Sequence, residues 1–221
     1  VCAPAVMQTI LNGILDVGAN ISTVTDDGPT LQLTSQRRVV LDIACAIVSQ
    51  LSTEHLTTVF ETIVEPVLSD PSPTSRLLQK KAYKLLYAMF ENRIKDMYPL
   101  FGRVMGLLAV GQQHVTVSGL KMRIRCVNWA LDACKMYYPD SIVPAIKSAV
   151  GEVVLFARER SSGARDMAME VIEKMQRYMT SAGCSHSTLL HIVLAGLSGK
   201  TGMLVSCTVV CLAKLVYMSY E

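Results

Sequence analysis

The chain has 221 residues, of which 51% are hydrophobic, and a formal net charge of +3. This hydrophobic content excludes global disorder, and so small a net charge does not by itself indicate nucleic-acid binding. Only 6% of the residues are aromatic, and Leu, Val, Ala and Met are abundant, a composition that favours helices packed on helices. We therefore expect an all-α protein.

Helical periodicity recurs along the chain, and no segment shows the alternation of a half-buried strand. The pattern predicts a first helix over 4–18, followed by an exposed, mobile loop over 20–35, "NISTVTDDGPTLQLTS". Nine further helices are predicted, over 35–51, 54–69, 74–92, 98–110, 118–137, 141–157, 163–181, 187–198 and 201–219.

Five of the predicted helices share a small residue that is followed by apolar residues three and four positions later. Successive small residues are 38 to 44 residues apart, the period expected of two-helix HEAT or armadillo units. A small side chain suits this position because stacked helices approach to about 8–10 Å. We predict a HEAT- or armadillo-like superhelical solenoid of antiparallel helix pairs, although another all-α domain with similar loop lengths would give comparable spacings. The small residues, which should be buried, are Ala44, Ala82, Cys126, Ala168 and Cys207.

The ends of the sequence and its apolar runs bear on its context. Val1 is not an initiator methionine, and the sequence stops at Glu221 in the middle of an apolar pattern. We therefore expect residues 1–221 to be one segment of repeats within a longer protein. The apolar run over 203–213 is too short to span a bilayer, and no signal peptide is visible. No membrane partner is therefore expected.

The seven cysteines are odd in number, irregularly spaced and mostly within apolar stripes. Such spacing supplies no disulfide framework, and it predicts reduced, buried thiols of a cytosolic or nuclear protein. Cys207 and Cys211 share one face of a predicted helix, where core packing is the expected role.

The helices that carry the small residues are the second helices of the predicted two-helix units. Basic residues gather near the starts of these helices. Arg76, Lys80 and Lys84 are spaced four residues apart, with no acid between Asp70 and Glu91. A cation near a helix N-terminus opposes the helix dipole, so another interaction is expected to favour it. One hypothesis is a basic edge that binds phosphate or acidic peptide. The candidate binding residues are Arg37, Arg38, Arg76, Lys80, Lys81, Lys84, Arg123, Arg125 and Arg165.

An alternative hypothesis for the same residues is structural. They would form an ordinary solvated face, or an Arg–Asp ladder between adjacent repeats that uses Asp42, Asp132 and Asp166. The basic positions share an end of the helices more clearly than a face, so the sequence leaves both hypotheses open.

No constellation in the sequence indicates catalysis. Cys184, His186 and His191 include zinc-compatible ligands, but CxxC pairing and a convincing fourth ligand are missing. The segment 196–202, "GLSGKTG", lacks the upstream glycine of a phosphate-binding loop and follows a predicted helix instead of a strand. We therefore predict a protein that is not an enzyme and has no metal and no cofactor.

Four segments resemble the HEAT-repeat ribosomal-RNA-processing proteins of small-subunit ribosome assembly, the twelfth of that processing series. They are 39–51, 77–89, 157–175 and 195–221. The last is the most specific: the family pattern is matched at Gly196, Leu197, Thr201, Ser206, Lys214, Leu215 and Tyr217, whereas Lys200 and Gly202 depart from it.

This resemblance implies a HEAT scaffold of the nucleolus and nucleus that can shuttle to the cytoplasm. The implied partners are proteins of the pre-40S ribosomal particle, ribosomal RNA and the nuclear export machinery with its Ran GTPase system. The alternative function is a generic HEAT-repeat scaffold that binds proteins, such as a transport or cytoplasmic assembly adaptor.

Overall fold

The computed structural model describes residues 9–14, 16, 30–110, 115–199 and 201–219. All regular secondary structure within these residues is helical, which confirms the all-α class. The chain divides into two compact units, an N-terminal unit (Val1–Cys126) and a C-terminal unit (Val127–Glu221). The prediction of a single repeat segment over 1–221 stays a prediction.

In the N-terminal unit, residues 9–14 are helical and the longer elements follow them. They are α1 (Thr30–Ile47), α2 (Thr53–Val59), a π-helical turn (Phe60–Val64), α3 (Glu65–Ser69), α4 (Pro73–Arg93), α5 (Phe101–Val110) and α6 (Val117–Tyr137), of which the residues up to Cys126 belong to this unit. Short 3-10 turns cover Val48–Gln50 and Tyr98–Leu100.

The C-terminal unit contains the remainder of α6 and four further helices. These are α7 (Ile142–Phe156), α8 (Ser162–Ser181), α9 (His186–Leu194) and α10 (Gly202–Met218), with 3-10 turns at Pro139–Ser141 and Ala195–Ser198. Helices α7 and α8 pack against each other across a short connection, so the chain reverses between them and the pair is antiparallel.

Of the predicted helix over 4–18, only residues 9–14 and 16 are among the described residues, and these are helical. The other predicted helices lie within a few residues of the observed ones, with one larger difference. Helix α1 begins at Thr30, so residues 30–35 of the predicted loop are helical, and residues 20–29 lie outside the described residues. Leu31, Gln32 and Leu33 are good helix formers. Their propensity explains why the helix extends into the segment that was predicted as a loop.

Equivalent helices of successive repeats lie side by side in parallel. In the N-terminal unit, Lys81 Nζ lies 2.5 and 2.7 Å from the two carboxylate oxygens of Asp42, and Arg93 donates to the carbonyl of Leu51. Both contacts join α1 and the turn after it to α4 in the same chain order. The two helices therefore run parallel. We call α1, α4, α6, α8 and α10 the second helices, because they carry the small residues Ala44, Ala82, Cys126, Ala168 and Cys207.

The same arrangement recurs further along the chain. Cys126 Sγ donates to the carbonyl of Tyr83 at 3.3 Å, which joins α6 to α4. In the C-terminal unit, Lys174 Nζ lies 2.8 Å from Asp132 Oδ2, which joins α8 to α6. Across these inter-helix contacts the partners are 39 to 43 residues apart, within the spacing that the sequence predicted. Each unit is therefore built from stacked helical repeats.

The small residues of the second helices are all buried, as predicted. Ala44, Ala82, Cys126, Ala168 and Cys207 are each 0% exposed. A side chain of minimal volume at these points lets the neighbouring helices approach closely. None of the described helices is long and apolar enough to cross a membrane.

Candidate interaction face of the second helices

Three cations project from the exposed side of α4. Arg76, Lys80 and Lys84 are all exposed, and their spacing of four residues places them on successive turns of one face. Within the described ranges, none of the three forms an ion pair with a carboxylate. We call this set the basic stripe. Arg38 is a further exposed cation, on α1.

The helix beneath the basic stripe is fixed by its opposite face. Leu78, Ala82, Leu85, Leu86 and Met89 are each 0% exposed. At the start of α4, Ser72 Oγ accepts a hydrogen bond from the backbone N–H of Ser75 at 3.3 Å, which satisfies one otherwise unpaired donor of the first turn. The cations are thus carried by a rigid element, so little backbone entropy is lost when they bind a ligand.

Arg123 does not belong to an exposed basic edge, contrary to the sequence hypothesis. Its side chain is 0% exposed, its Nη1 donates to Tyr83 Oη at 2.8 Å, and its Nη2 donates to the carbonyl of Leu108. Its guanidinium carbon also lies 5.6 Å from the centre of the Tyr83 ring. A guanidinium engaged in this way holds helices together and is not available to a partner molecule.

Arg37 is also buried, at 3% exposure, and burial lowers the pKa of its guanidinium. The sequence contains the signal for this placement. Arg37 lies seven residues before Ala44, which puts it on the core face of α1 together with Leu41. Its position on the helix therefore distinguishes Arg37 from Arg38, which lies on the exposed side of α1.

The other three predicted site residues have partners within the protein. Lys81 pairs with Asp42, as described above, and Arg165 Nη1 donates to the carbonyls of Glu159 and Arg160 at 2.7 and 3.0 Å. The guanidinium carbon of Arg125 lies 5.5 Å from the centre of the Tyr87 ring. The inter-repeat ladder proposed as the alternative is therefore present in a lysine form at Asp42, and a second lysine, Lys174, pairs with Asp132.

A groove opens beside the basic stripe, within the N-terminal unit, where side chains of α1, α4 and α6 meet. Its volume is about 330 Å³. Lys84 and Arg125 contribute cations to its lining, and Asp42 and Glu91 contribute carboxylates. The remaining lining side chains are Cys45, Ala46, Tyr87, Ala88 and Met122. The sequence analysis named Lys84, Arg125 and Asp42 but did not bring them together in one site, because the groove needs residues from three helices about 40 positions apart.

One carboxylate of the groove accepts a hydrogen bond from a neighbouring side chain of the lining. Tyr87 Oη donates to Glu91 Oε1 at 3.1 Å, one helical turn along α4. Burial raises the pKa of the Cys45 thiol to about 11, and the nearby Lys84 opposes this increase only in part. The thiol is therefore neutral near pH 7, and it contributes an apolar surface to the groove and no nucleophile.

Other candidate sites have structural explanations. Among the described residues, no group of three or more His, Cys, Asp or Glu side chains is placed to hold a metal ion. His186 Nδ1 lies 3.2 Å from Gln176 Nε2. In the segment 196–202, Gly196 and Gly199 lie against α10: a Cβ atom at Gly196 would collide with the Thr208 side chain, and one at Gly199 with Leu204. These two glycines permit the close packing of α10.

Comparison with known proteins gives no family. No family model and no curated protein matches the chain. Among solved structures, the chain is similar to a designed armadillo repeat protein in complex with the peptide (KR)4, with 12% sequence identity and a TM-score of 0.45, over 94% of this chain and 92% of that chain. At this identity and TM-score, the likeness assigns neither a family nor a function.

Proposed function

We propose that the chain is a non-catalytic interaction scaffold that acts in small-subunit ribosome assembly in the nucleolus and nucleus. The observation that carries the proposal is the basic stripe, three exposed cations without carboxylate partners among the described residues, on a helix anchored by a buried core. The stacked repeats support a scaffold because they present long helical faces instead of an enclosed cavity. The resemblance of 39–51, 77–89, 157–175 and 195–221 to the ribosomal-RNA-processing family supports the cellular role.

The stripe would act through electrostatics. Phosphate groups of ribosomal RNA, or acidic segments of proteins of the pre-40S particle, would pair with Arg76, Lys80 and Lys84. Such contacts release counterions, so binding would weaken as the salt concentration rises. The same resemblance extends the proposal to the nuclear export machinery, with shuttling to the cytoplasm, as a further protein partner of the scaffold.

Affinity purification of the tagged full chain from cells tests the role in ribosome assembly. Quantitative PCR of the bound RNA should show enrichment of precursors of small-subunit ribosomal RNA over those of the large subunit. Changing Arg76, Lys80 and Lys84 to Ser should reduce this enrichment by about tenfold, since roughly three phosphate or carboxylate contacts are removed. The matched control changes Lys95, Lys147 and Arg160 to Ser, because these are exposed cations outside the stripe.

Two results would contradict the proposal. Equal recovery of small- and large-subunit precursors by the wild-type chain would remove the role in small-subunit assembly. Equal losses in the stripe variant and in the control variant would show that the net charge, and not the basic stripe, is responsible for binding.

A further inference from the structure

We propose that the groove between α1, α4 and α6 binds an extended acidic peptide segment. An aliphatic side chain of the peptide enters the groove, and a neighbouring carboxylate pairs with Lys84 and Arg125. The inference rests on the proposed function, because it assigns a partner class to the same face of the second helices.

The size and lining of the groove suit one amino-acid side chain. Its volume of about 330 Å³ lies at the lower end of the range of roughly 300–1,000 Å³ that is typical of ligand sites. Ala46, Ala88 and Met122 provide apolar surface from three different helices, and the neutral thiol of Cys45 adds to it. Entry of a Leu or Ile side chain would remove this surface from water, at about 25 cal/mol for each Å² of apolar area.

The charges of the groove favour an acidic partner. Asp42 is already neutralised by Lys81, with both carboxylate oxygens within 2.7 Å of the lysine nitrogen. Within the described residues, Lys84 and Arg125 make no ion pair with any carboxylate. Lys84 and Arg125 together outweigh the remaining carboxylate of the lining, Glu91, which accepts a hydrogen bond from the neutral Tyr87 hydroxyl. The net charge of the groove is therefore positive, and an incoming carboxylate complements it.

Arg125 is positioned to bind a carboxylate of the peptide. Its guanidinium carbon lies 5.5 Å from the centre of the Tyr87 ring, a cation–π distance that orients the guanidinium plane. Tyr87 is in turn oriented by its hydrogen bond to Glu91. Since a guanidinium can donate two parallel hydrogen bonds to a carboxylate, an oriented Arg125 gives the site directional recognition, and Lys84 one turn before Tyr87 adds a second charge.

The same lining disfavours RNA in the groove. A nucleic-acid strand carries a phosphate at every nucleotide, and a phosphate beside the carboxylate of Glu91 would be repelled by it. Base stacking would need a free face of Tyr87, and Arg125 already covers one face. A peptide can place a carboxylate at Lys84 and Arg125 and an apolar side chain next to Glu91.

Fluorescence anisotropy with the full chain tests the inference. The probe is the fluorescein-labelled peptide GDLEDLEDLG, and the comparison probes are its amide analogue GNLQNLQNLG and a ten-nucleotide oligouridine. Changing Lys84 and Arg125 together to Ser should weaken binding of the acidic peptide by about tenfold or more, since two charge-assisted hydrogen bonds are lost. The matched control changes Lys95 and Lys121 to Ser. It removes equal charge from exposed positions of the same unit that lie outside both the groove lining and the basic stripe, and should weaken binding less than about threefold.

A third variant keeps both cations and fills the groove. Ala46→Phe places a large side chain at an exposed position of the lining, so it should block the acidic peptide while the thermal unfolding midpoint stays unchanged. This variant keeps the inference testable if the double Ser variant is less stable than the wild type.

Several outcomes would overturn the inference. They are the absence of acidic-peptide binding to the wild type at millimolar concentration, equal binding of the acidic and amide peptides, equal losses in the groove and control variants, and selective loss of oligouridine binding in the groove variant. A wild-type chain that enriches small-subunit precursors but ignores the peptide would refute this inference alone. A chain that binds the peptide without enriching those precursors would refute the proposed function alone.

Discussion

Arg123 and Lys84 carry the same charge but have opposite roles. Arg123 is completely buried between Tyr83 and the carbonyl of Leu108, whereas Lys84 is exposed beside the groove. The charge pattern of the sequence placed both on one basic edge. Helical position separates them, because Arg123 lies three residues before the buried Cys126 and so shares its face. Its hydrogen-bond partners are 40 and 15 residues away, and only the folded structure identifies them.

The burial of Arg123 predicts that its guanidinium cannot be replaced by another cation. Arg123→Lys keeps the charge, but an ammonium group cannot reproduce the fork that reaches Tyr83 and Leu108. We expect a loss of about 1–3 kcal/mol in the free energy of unfolding, measured by urea denaturation. The control is Lys121→Arg on the exposed side of the same helix, where a change within about 0.5 kcal/mol is expected. Equal stability of the two variants would contradict the structural role of Arg123.

At the scale of elements, the helices were predictable because their signals are local. Apolar residues at helical spacing indicate where each helix lies, and turn residues mark its approximate ends. The end of α9 was harder to predict: the helix stops at Leu194, and a 3-10 turn continues over Ala195–Ser198. The glycines that follow resemble part of a phosphate-binding motif in sequence. Glycine is required at Gly196 and Gly199 because α10 packs closely against them. This is a tertiary contact, and a local sequence pattern does not indicate it.

Close packing at Gly196 predicts that even a methyl group is costly there. A Cβ atom would collide with the side chain of Thr208, which is itself buried in α10. We expect Gly196→Ala to lower the free energy of unfolding by about 1–3 kcal/mol through overpacking. Gly151 in α7 provides the matched control, because nothing lies within 4 Å of its Cβ position.

Thermal and urea unfolding should separate the two glycine variants. Gly151→Ala should be neutral or stabilise by up to about 1 kcal/mol, since alanine loses less backbone entropy than glycine in a helix. Equal stability of the Gly196→Ala and Gly151→Ala variants would show that α10 does not pack closely against Gly196.

At the scale of the whole molecule, the repeat period and the basic stripe were visible in the sequence, and the groove was not. Contacts between second helices join residues 39 to 43 positions apart, as the recurrence of small residues predicted. The charged pairs between repeats depend on which side chains meet. Lys81 forms an ion pair with Asp42, whereas Lys80, its neighbour in sequence, is exposed. The groove beside the basic stripe likewise requires three helices in register, which a one-dimensional pattern does not specify.

The basic stripe makes the salt dependence of binding a test of the molecule as a scaffold. Binding of the full chain to a fragment of small-subunit precursor RNA should weaken steeply with salt, because neutralised phosphates release their counterions. Changing Arg76, Lys80 and Lys84 to Ser should make the slope of log K against log salt concentration shallower by about two, the value for two to three lost contacts with a single strand. The variant should keep the thermal stability of the wild type, since the three side chains are exposed and make no ion pairs within the described residues.

The triple variant of Lys95, Lys147 and Arg160 controls for net charge. Equal slopes in the stripe variant and the wild type, with both fully folded, would show that these cations are only a solvated face and would leave the stacked repeats as a scaffold whose binding surface lies elsewhere.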